Sequence, residues 1–321
     1  MKRFILIIFV LCPLLFVGQG FDGGDKTFGV IEGTVNVSMY GGATYYLPID
    51  IPQGVNGMQP DLGIVYNSQS GNGLLGYGWN INGISTINRT GSTLFHNTKM
   101  TAANLSDDDC FLLDGQRLIL VGSNANNNEY KTENDEFSKI VFYKENGYLS
   151  KCEVRLENGN IIKYGYTSDS KLMASDGNNV IKWMVSSIAD RNGNTISYIY
   201  ETTGNNDDVY IKQIAYTSNE QANLTSKYLV TFTYLNNRFD DYHYYIAGNK
   251  VNSDRILSSI DVSFSGKSLA SYDFSYDGNT NRMYNLLTGI TYSRGGYSLD
   301  PIVIQWNTDN SDVQNNMLSS Q

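Results

Sequence analysis

Histidine is the scarcest catalytic residue type in this chain, and its scarcity limits the available chemistry. The 321 residues contain only His96 and His243. A Ser-His-Asp triad would need one of these two, and no Gly-x-Ser-x-Gly sequence surrounds a nucleophilic serine. His96 follows Leu94-Phe95 and leads into a polar loop, whereas His243 lies among aromatic residues. Both contexts favour packing or surface hydrogen bonding, so we predict no catalytic residue and no enzymatic activity.

Cysteine is also rare, which weakens the case for a zinc site. Beyond Cys12 near the start, only Cys110 and Cys152 occur, and they lie far apart in the sequence. Together with two scattered histidines they lack the ligand spacing of zinc sites. In an exported protein they could form a disulfide or remain two separate buried thiols. The sequence leaves both alternatives open, because it does not place the two residues within bonding distance.

Oxygen ligands for calcium occur in two places, but neither place completes a calcium loop. The first is Asp107-Asp108-Asp109, and the second runs from Asp190 through Asn192 to Asn194. A calcium loop of this type ends in a bidentate glutamate, which neither segment supplies. We therefore predict no metal ligands.

Two further local patterns resemble cofactor or nucleophile motifs only in part. The glycine-rich residues 71–78 are not followed by Gly-Lys-Ser/Thr, so a phosphate-binding loop is excluded. The pattern Ser-x-x-Lys at residues 168–171 lacks the accompanying Ser-Asp-Asn and Lys-Thr-Gly elements. We predict no cofactor.

Positive charge is in short supply, and this excludes two classes of partner. The chain has 23 basic and 32 acidic residues, and only 17% of its residues are charged. Nucleic acids and anionic membrane surfaces are bound through basic patches, so we expect neither as a partner.

The only long apolar run lies at the start of the chain. Lys2 and Arg3 precede an apolar run at residues 4–17, and Gly18 and Gly20 follow it. This order is typical of a secretory signal peptide, which we predict for residues 1–20. A retained membrane anchor is the alternative, but the run is shorter than the ~20 residues that span a bilayer. We therefore predict a secreted, extracellular protein whose mature form does not span the membrane.

The chain is rich in tyrosine and glycine, and apolar and polar residues alternate in many segments. It contains 24 tyrosines and 31 glycines, a composition that favours strands and turns. Apolar and polar residues alternate with the period of a half-buried strand at residues 196–200, 231–234, 260–264, 272–276 and 302–306. Turn dipeptides separate such runs: Asn146-Gly147, Asn158-Gly159, Asp176-Gly177, Asn192-Gly193 and Asp277-Gly278.

These signals predict an all-β fold, an antiparallel meander of many short strands and hairpins with very little helix. Residues 151–156 and 161–164 read as one hairpin, and residues 97–104 and 219–224 as single helical turns. We predict one β-rich domain at residues 27–306, as a single body or as two sub-lobes meeting near residue 120. An unstructured tail is predicted for residues 307–321.

A specific resemblance begins in residues 51–89, which we interpret as the opening hairpin of this meander. Its matching positions are Gly54, Gly57, Pro60, Leu62, Tyr66, Asn67, Ser68, Ser70, Gly71, Asn72, Gly73, Gly76, Gly78, Trp79, Ile87 and Arg89. Later matches are Phe111 to Gly115, Trp183 to Tyr200, Arg255 to Leu257 and Pro301 to Trp306. Together they resemble the SpvB-type N-terminal domain, which begins the B components of insecticidal toxin complexes and many Rhs-related proteins. Gln53 departs from the pattern, since a second proline is common there.

The resemblance implies a structural module without catalytic or ligand-binding residues. Its partners would be toxin-complex or Rhs-type β-propeller or repeat-shell polypeptides, which together enclose a toxic polypeptide. The Glu-x-Glu motif of the ADP-ribosyltransferase branch does not occur. Trp79, Trp183 and Trp306 would be buried structural residues. The alternatives are a stand-alone secreted module that binds surface glycan or protein through exposed tyrosines, and a truncated fragment without an independent role.

Overall fold

The computed structural model describes most of the chain between residues 31 and 306. The described residues are 31–106, 109–134, 137–202, 204, 207–236, 238–278 and 283–306. The predicted signal peptide, the predicted tail and two residues of the acidic cluster, Asp107 and Asp108, lie outside them.

The described residues confirm the predicted all-β class. Alternating segments form strands because successive side chains point to opposite faces; in residues 194–201, for example, Ile196, Tyr198 and Tyr200 are buried while Ile199 is exposed. The strands are β1 Thr34–Val37, β2 Ala43–Pro48, β3 Gly63–Asn67, β4 Asn72–Gly73, β5 Gly76–Tyr77, β6 Trp79–Asn82, β7 Thr86–Thr90, β8 Cys110–Leu113, β9 Gln116–Ser123, β10 Asn127–Thr132, β11 Lys139–Glu145, β12 Tyr148–Arg155, β13 Ile161–Tyr164, β14 Lys171–Met173, β15 Val180–Ala189, β16 Asn194–Glu201, β17 Tyr210–Asn219, β18 Tyr228–Leu235, β19 Tyr242–Ile246, β20 Asn249–Ser253, β21 Ile256–Phe264, β22 Lys267–Tyr276, β23 Leu287–Arg294, β24 Tyr297–Ser298 and β25 Ile302–Val303.

Helix is limited, within the described ranges, to α1 (Leu94–Asn97) and two 3₁₀ turns, Val55–Gly57 and Ser168–Ser170. The predicted helical turn at residues 97–104 was therefore misplaced. The helix begins earlier because the Thr93 hydroxyl accepts a hydrogen bond from the His96 N–H, and it ends where Thr98 takes a φ of 57°. The predicted turn of helix at 219–224 was wrong, because Asn219 and Leu224 exchange backbone hydrogen bonds of 2.9 Å across a tight loop.

The described strands form one large antiparallel assembly, a separate small sheet of four strands and two two-stranded ladders, β4–β5 and β19–β20. The pairings run from β7 through β8, β9, β10, β11, β12 and β13 to β15, which pairs again with β7, so this part of the sheet closes on itself. From β15 the sheet extends through β16, β17, β18, β21, β22 and β23. We call the whole assembly the barrel. The separate sheet has the order β1-β2-β3-β6.

Local pairings follow the sequence signals closely. The predicted hairpin is confirmed: β12 pairs with β13, with Cys152 opposite Tyr164 and Arg155 opposite Ile161. Between β11 and β12, Asn146 and Gly147 both have positive φ, 53° and 87°, as a two-residue hairpin requires. Residue 120, the proposed junction of two sub-lobes, lies inside β9, which pairs with both β8 and β10.

The core of the barrel combines aliphatic side chains with a group of packed aromatic rings. Phe111, Phe142 and Trp183 are each 2% exposed or less, and their ring centroids lie 5.1 to 5.6 Å apart. Offset and edge-to-face rings at this separation stabilise a core beyond simple area burial. The same hydrophobic cluster continues to Leu47, Ile64 and Trp79 of the small sheet, so the two sheets share one core.

Candidate functional site

Residues 51–89, which we call the glycine-rich segment, join the small sheet to the barrel. Our interpretation of this segment as one opening hairpin was wrong. Its strands β3 and β6 pair with each other in the small sheet, β4 and β5 form a short ladder, and only β7 enters the barrel. Alternation alone does not choose the partner of a strand, so the division between two sheets was not evident from the sequence.

Glycines in this segment permit close backbone contacts. Gly83 has a φ of +98°, and a Cβ atom there would lie 1.9 Å from the backbone oxygen of Asp61. At Gly76, with a φ of +90°, a Cβ would lie 2.4 Å from the backbone oxygen of Asn285. Because glycine alone adopts such φ values without strain and has no Cβ, these positions require it.

A buried polar network fastens the segment to the barrel. The Arg238 guanidinium donates from Nε to Asp240 Oδ1 at 2.8 Å and from Nη1 to the Gly73 carbonyl at 3.1 Å. The Asp240 carboxylate also accepts from Asn72 Nδ2 at 3.0 Å and from the Asn285 backbone N–H at 2.7 Å. We call these five residues the clamp.

Charge and hydrogen bonding in the clamp act together. Burial by itself would raise the pKa of Asp240, but hydrogen bonds from Arg238 and Asn285 and the Arg238 charge lower that pKa below its usual value. Asn72 and Gly73 belong to the family pattern, whereas Arg238, Asp240 and Asn285 belong to no recognisable motif and were not predicted. The only available signal was the Arg-x-Asp spacing in a chain of low charge.

The three tryptophans pack in the protein, but only Trp79 and Trp183 are buried as predicted, whereas Trp306 is half-buried. Trp79 is 4% exposed and packs on Tyr66, with ring centroids 5.1 Å apart. Trp306 packs edge-to-face against the same Tyr66 ring, with centroids 6.0 Å apart, and donates its indole N–H to the Leu287 carbonyl at 2.7 Å. Trp183 is fully buried and donates its indole N–H to the Ser150 carbonyl at 2.9 Å. Within the described part of the chain, the Trp79 indole N–H has no hydrogen-bond partner.

The remaining motif residues stabilise turns and the core. Arg89 is 5% exposed, lies over the Phe111 ring at 5.2 Å and donates to Asp109 Oδ2 at 2.9 Å. Asp114, at the turn between β8 and β9, accepts from the Thr86 N–H at 2.8 Å and from the Ser85 hydroxyl at 2.6 Å. These contacts give the motif residues a structural explanation.

In the two calcium candidates, the carboxylates of Asp109 and Asp190 accept hydrogen bonds from N–H donors. Asp109 accepts from Arg89 and from the N–H groups of Asn104 and Leu105. The Asp190 carboxylate accepts from the N–H groups of Asn192 and Asn194, from the Asn194 side chain and from Asn56 Nδ2 at 2.9 Å. The N–H donors that face these oxygens occupy the directions that a cation would need, so the arrangement serves to fix loops.

His96 lies between a hydroxyl and a carboxylate, the order of a catalytic triad. Its Nδ1 is 2.9 Å from Thr93 Oγ1 and its Nε2 is 2.8 Å from Glu133 Oε1. However, Thr93 Oγ1 already caps α1, and the His96 and Glu133 side chains are 25% and 42% exposed. A triad works in a site that excludes water and holds oxyanion donors, whereas this trio lies at the surface. His243 is exposed on β19 beside Tyr245, at 5.7 Å between ring centroids.

The other nucleophile candidates are also part of the scaffold. Cys110 and Cys152 are free, buried thiols, which is the second of the two alternatives left open by the sequence; burial raises the pKa of Cys152 well above its usual value. In the Ser-x-x-Lys segment, Lys171 Nζ donates to Ser150 Oγ at 2.8 Å, and Ser168 begins a 3₁₀ turn.

One edge of the small sheet exposes apolar side chains. All four residues of β1 are exposed, and its partner among the described strands is β2 alone. Val35 and Val37 are 76% and 69% exposed, and Met39 and Tyr40 in the following turn are 91% and 85% exposed. An uncharged edge of this kind is a template for pairing with another strand. Across the described ranges, no helix has the length and apolar character needed to cross a bilayer.

Comparison with known proteins identifies the family of the chain. The profile of the family described as Salmonella virulence plasmid 65kDa B protein, SpvB, matches residues 37–158 and 153–260. The chain belongs to this family. No curated protein sequence matches the chain.

Solved structures share the fold of this SpvB family member. The N-terminal domain of SpvB from Salmonella typhimurium strain LT2 is 18% identical, with a TM-score of 0.64, and the match covers 77% of this chain and 98% of that domain. TcdB2–TccC3 is 16% identical with a TM-score of 0.73, and the Photorhabdus luminescens Tc holotoxin pore is 16% identical with a TM-score of 0.70. These two matches cover 88% and 89% of this chain but only 17% and 16% of theirs.

Proposed function

We propose that this chain is a non-enzymatic structural module of a toxin-complex or Rhs-like system, and that it contributes to a β-shell around a toxic polypeptide. One observation carries the proposal: the residues that define the resemblance, such as Trp79, Arg89 and Trp183, are buried in packing and hydrogen bonds. A site that performs chemistry needs polar side chains that a substrate can reach. Family membership and the fold shared with TcdB2–TccC3 support the same conclusion.

The partners proposed are β-propeller or repeat-shell polypeptides of the toxin-complex or Rhs type. The chain spans 17% of the length of TcdB2–TccC3, so a comparable assembly would need further polypeptide. The exposed edge β1 offers backbone groups for an added strand, and Val35 and Val37 offer apolar side chains that become buried on pairing.

Export and domain limits are part of the proposal. Residues 1–20 would be removed on secretion, residues 27–306 would form the SpvB-like domain and residues 307–321 would remain unstructured. Amino-terminal sequencing of the protein collected from culture medium tests the cleavage position. An intact Met1 in the collected protein would contradict it.

Co-purification tests the scaffold role. The chain is co-expressed with the polypeptide encoded by the adjoining reading frame, and complex formation is measured by size-exclusion chromatography with light scattering. We expect a complex that is lost in the Val35→Lys/Val37→Lys variant and kept in the control variant Leu224→Lys. Leu224 is 54% exposed and lies in the loop between β17 and β18. The proposal would be contradicted if the unmodified chain formed no complex. Hydrolase or transferase activity of the purified protein would also contradict it.

A further inference from the structure

A cleft with a cavity volume of about 420 Å³ lies between the glycine-rich segment and the barrel. The segment contributes Asn72 and Asn80, and the barrel and the β19–β20 hairpin contribute Lys182, Asp208, Tyr242 and Tyr244. Ligand-binding pockets for small molecules occupy about 300–1,000 Å³, so the cleft has a suitable size. The proposed scaffold role makes no use of it.

Opposite charges face each other in the cleft without closing a hydrogen bond. Lys182 Nζ is 3.9 Å from Asp208 Oδ1, and the side chains are 22% and 16% exposed. Because the two charges offset each other, neither a cation nor an anion gains much electrostatic energy by binding in the cleft. A neutral ligand with hydroxyl groups can accept from Lys182 and donate to Asp208, and hydrogen bonds to charged groups are stronger than those between neutral ones.

Asn72 lies in the cleft wall and is held there by the clamp. Its Nδ2 donates to Asp240 Oδ2 at 3.0 Å, and this contact fixes the amide orientation, since the reverse would set an amide oxygen against the carboxylate. Within the described residues, Asn72 Oδ1 is buried without a hydrogen-bond partner. Because the protein covers Oδ1, a ligand in the cleft does not reach it, so Asn72 shapes the wall and the polar ligand contacts fall to Lys182 and Asp208.

Aromatic and aliphatic side chains complete the lining. Tyr242 and Tyr244 are half-buried on β19, with ring centroids 6.5 Å apart, and Ile81 and Met184 lie in the same cleft. Flat apolar ring faces beside amide, ammonium and carboxylate groups suit a ligand with apolar C–H faces and hydroxyl edges. We propose that this cleft binds a neutral saccharide, held by Lys182 and Asp208 and packed against the β19 tyrosines.

Ligand-observed NMR and calorimetry with the purified full chain test the proposal. The probes are glucose, galactose, mannose, N-acetylglucosamine and their disaccharides, with glucuronic acid and glucosamine as charged counterparts. We expect at least one neutral saccharide to bind, and to bind more tightly than its charged counterpart. Asp208→Asn and Lys182→Met should each weaken that binding by about tenfold, because each removes a hydrogen bond to a charged group.

Two controls keep the result interpretable. Lys250→Met removes an exposed lysine from β20 outside the cleft and should leave saccharide binding unchanged. Thermal unfolding of each variant shows whether the fold is retained, and Tyr242→Leu serves as a further cleft variant if Asp208→Asn unfolds. Absence of binding by every neutral probe, preference for a charged counterpart, or equal binding by cleft variants and control overturns the proposal. None of these outcomes bears on complex formation through β1, so the scaffold role is tested separately.

Discussion

The guanidinium of Arg238 is buried directly against the carboxylate of Asp240. Nε and Oδ1 are 2.8 Å apart, and the two side chains are 0% and 2% exposed. The pair also binds backbone groups of Gly73 and Asn285, which come from opposite sides of the contact between segment and barrel. Substituting only one partner of such a buried pair strongly lowers the stability of the fold, because the remaining charge stays in a low-dielectric interior without its partner.

Removing one charge of the clamp should therefore destabilise the domain strongly. We expect Asp240→Asn to lower the free energy of unfolding by about 3–5 kcal/mol, measured by urea denaturation. The matched control is Glu129→Gln, which removes the carboxylate from an exposed pair with Lys139 at 3.5 Å; its effect should stay below about 1 kcal/mol. Equal effects of the two substitutions would show that the clamp does not hold the segment.

Acid should weaken the clamp in a defined direction. The pKa of Asp240 is lower in the folded protein than the value of about 3.9 in an unfolded chain. Unfolding therefore favours proton uptake, and the stability contributed by Asp240 is present above about pH 4 and lost as pH falls through the folded-state pKa. Urea denaturation at a series of pH values should show a shallower acid decline in Asp240→Asn than in the unmodified chain. If the stability of both proteins fell equally with pH, Asp240 would not contribute to the acid sensitivity. Asp176 and Asp190, whose pKa values are also lowered, would then account for the whole effect.

Trp79 and Trp183 allow a comparison between two buried indoles. Trp79→Ala should cost about 3–5 kcal/mol, through the cavity it leaves. Trp79→Phe should cost much less than Trp79→Ala, because phenylalanine keeps an aromatic ring at this position. The substitution also breaks no hydrogen bond, since the Trp79 N–H makes none within the described structure. Trp183→Phe removes the bond to the Ser150 carbonyl and should cost about 1–3 kcal/mol more than Trp79→Phe. Unfolding free energies measured in urea decide this, and an unchanged stability of Trp79→Ala would contradict the structural role.

Sequence reasoning succeeded where the signal is local. Ile196, Tyr198 and Tyr200 alternate within one strand, and the hairpin of β12 and β13 is set by its own turn, so both could be predicted. The clamp could not, because Asp240 and Asn285 are 45 positions apart and neither residue has a local pattern that names its partner. Strand pairing in residues 51–89 failed for the same reason, since the partner of each strand is chosen by packing.

The glycines should differ sharply in their tolerance of alanine. Gly147 has a φ of +87° with open space around the missing Cβ, so Gly147→Ala should cost about 1–2 kcal/mol from backbone strain. Gly83→Ala causes a similar backbone strain and, in addition, a clash between the new Cβ and the Asp61 carbonyl. It should therefore lower the free energy of unfolding by about 3 kcal/mol or more. Urea denaturation measures both. A smaller effect at Gly83 than at Gly147 would show that the close approach of the segment is not required.

Alkaline titration should separate buried from exposed tyrosines. Burial raises the pKa of Tyr210 to about 12 and raises the pKa of Tyr234 and Tyr276 further. The Tyr234 hydroxyl donates to the Ile211 carbonyl at 2.8 Å and the Tyr276 hydroxyl to the Leu257 carbonyl at 2.5 Å, so ionisation would also remove these donors.

Because these folded-state pKa values exceed the unfolded value of about 10, the stability they contribute is present below pH 10 and lost as pH rises above it. Absorbance of the phenolate should therefore increase in two stages, first reversibly for exposed tyrosines and then together with unfolding followed by circular dichroism. Tyr234→Phe removes one late-titrating group and should lower the amplitude of the second stage without changing the first. A single reversible stage near pH 10, with the fold intact throughout, would show that these hydroxyls are accessible to water.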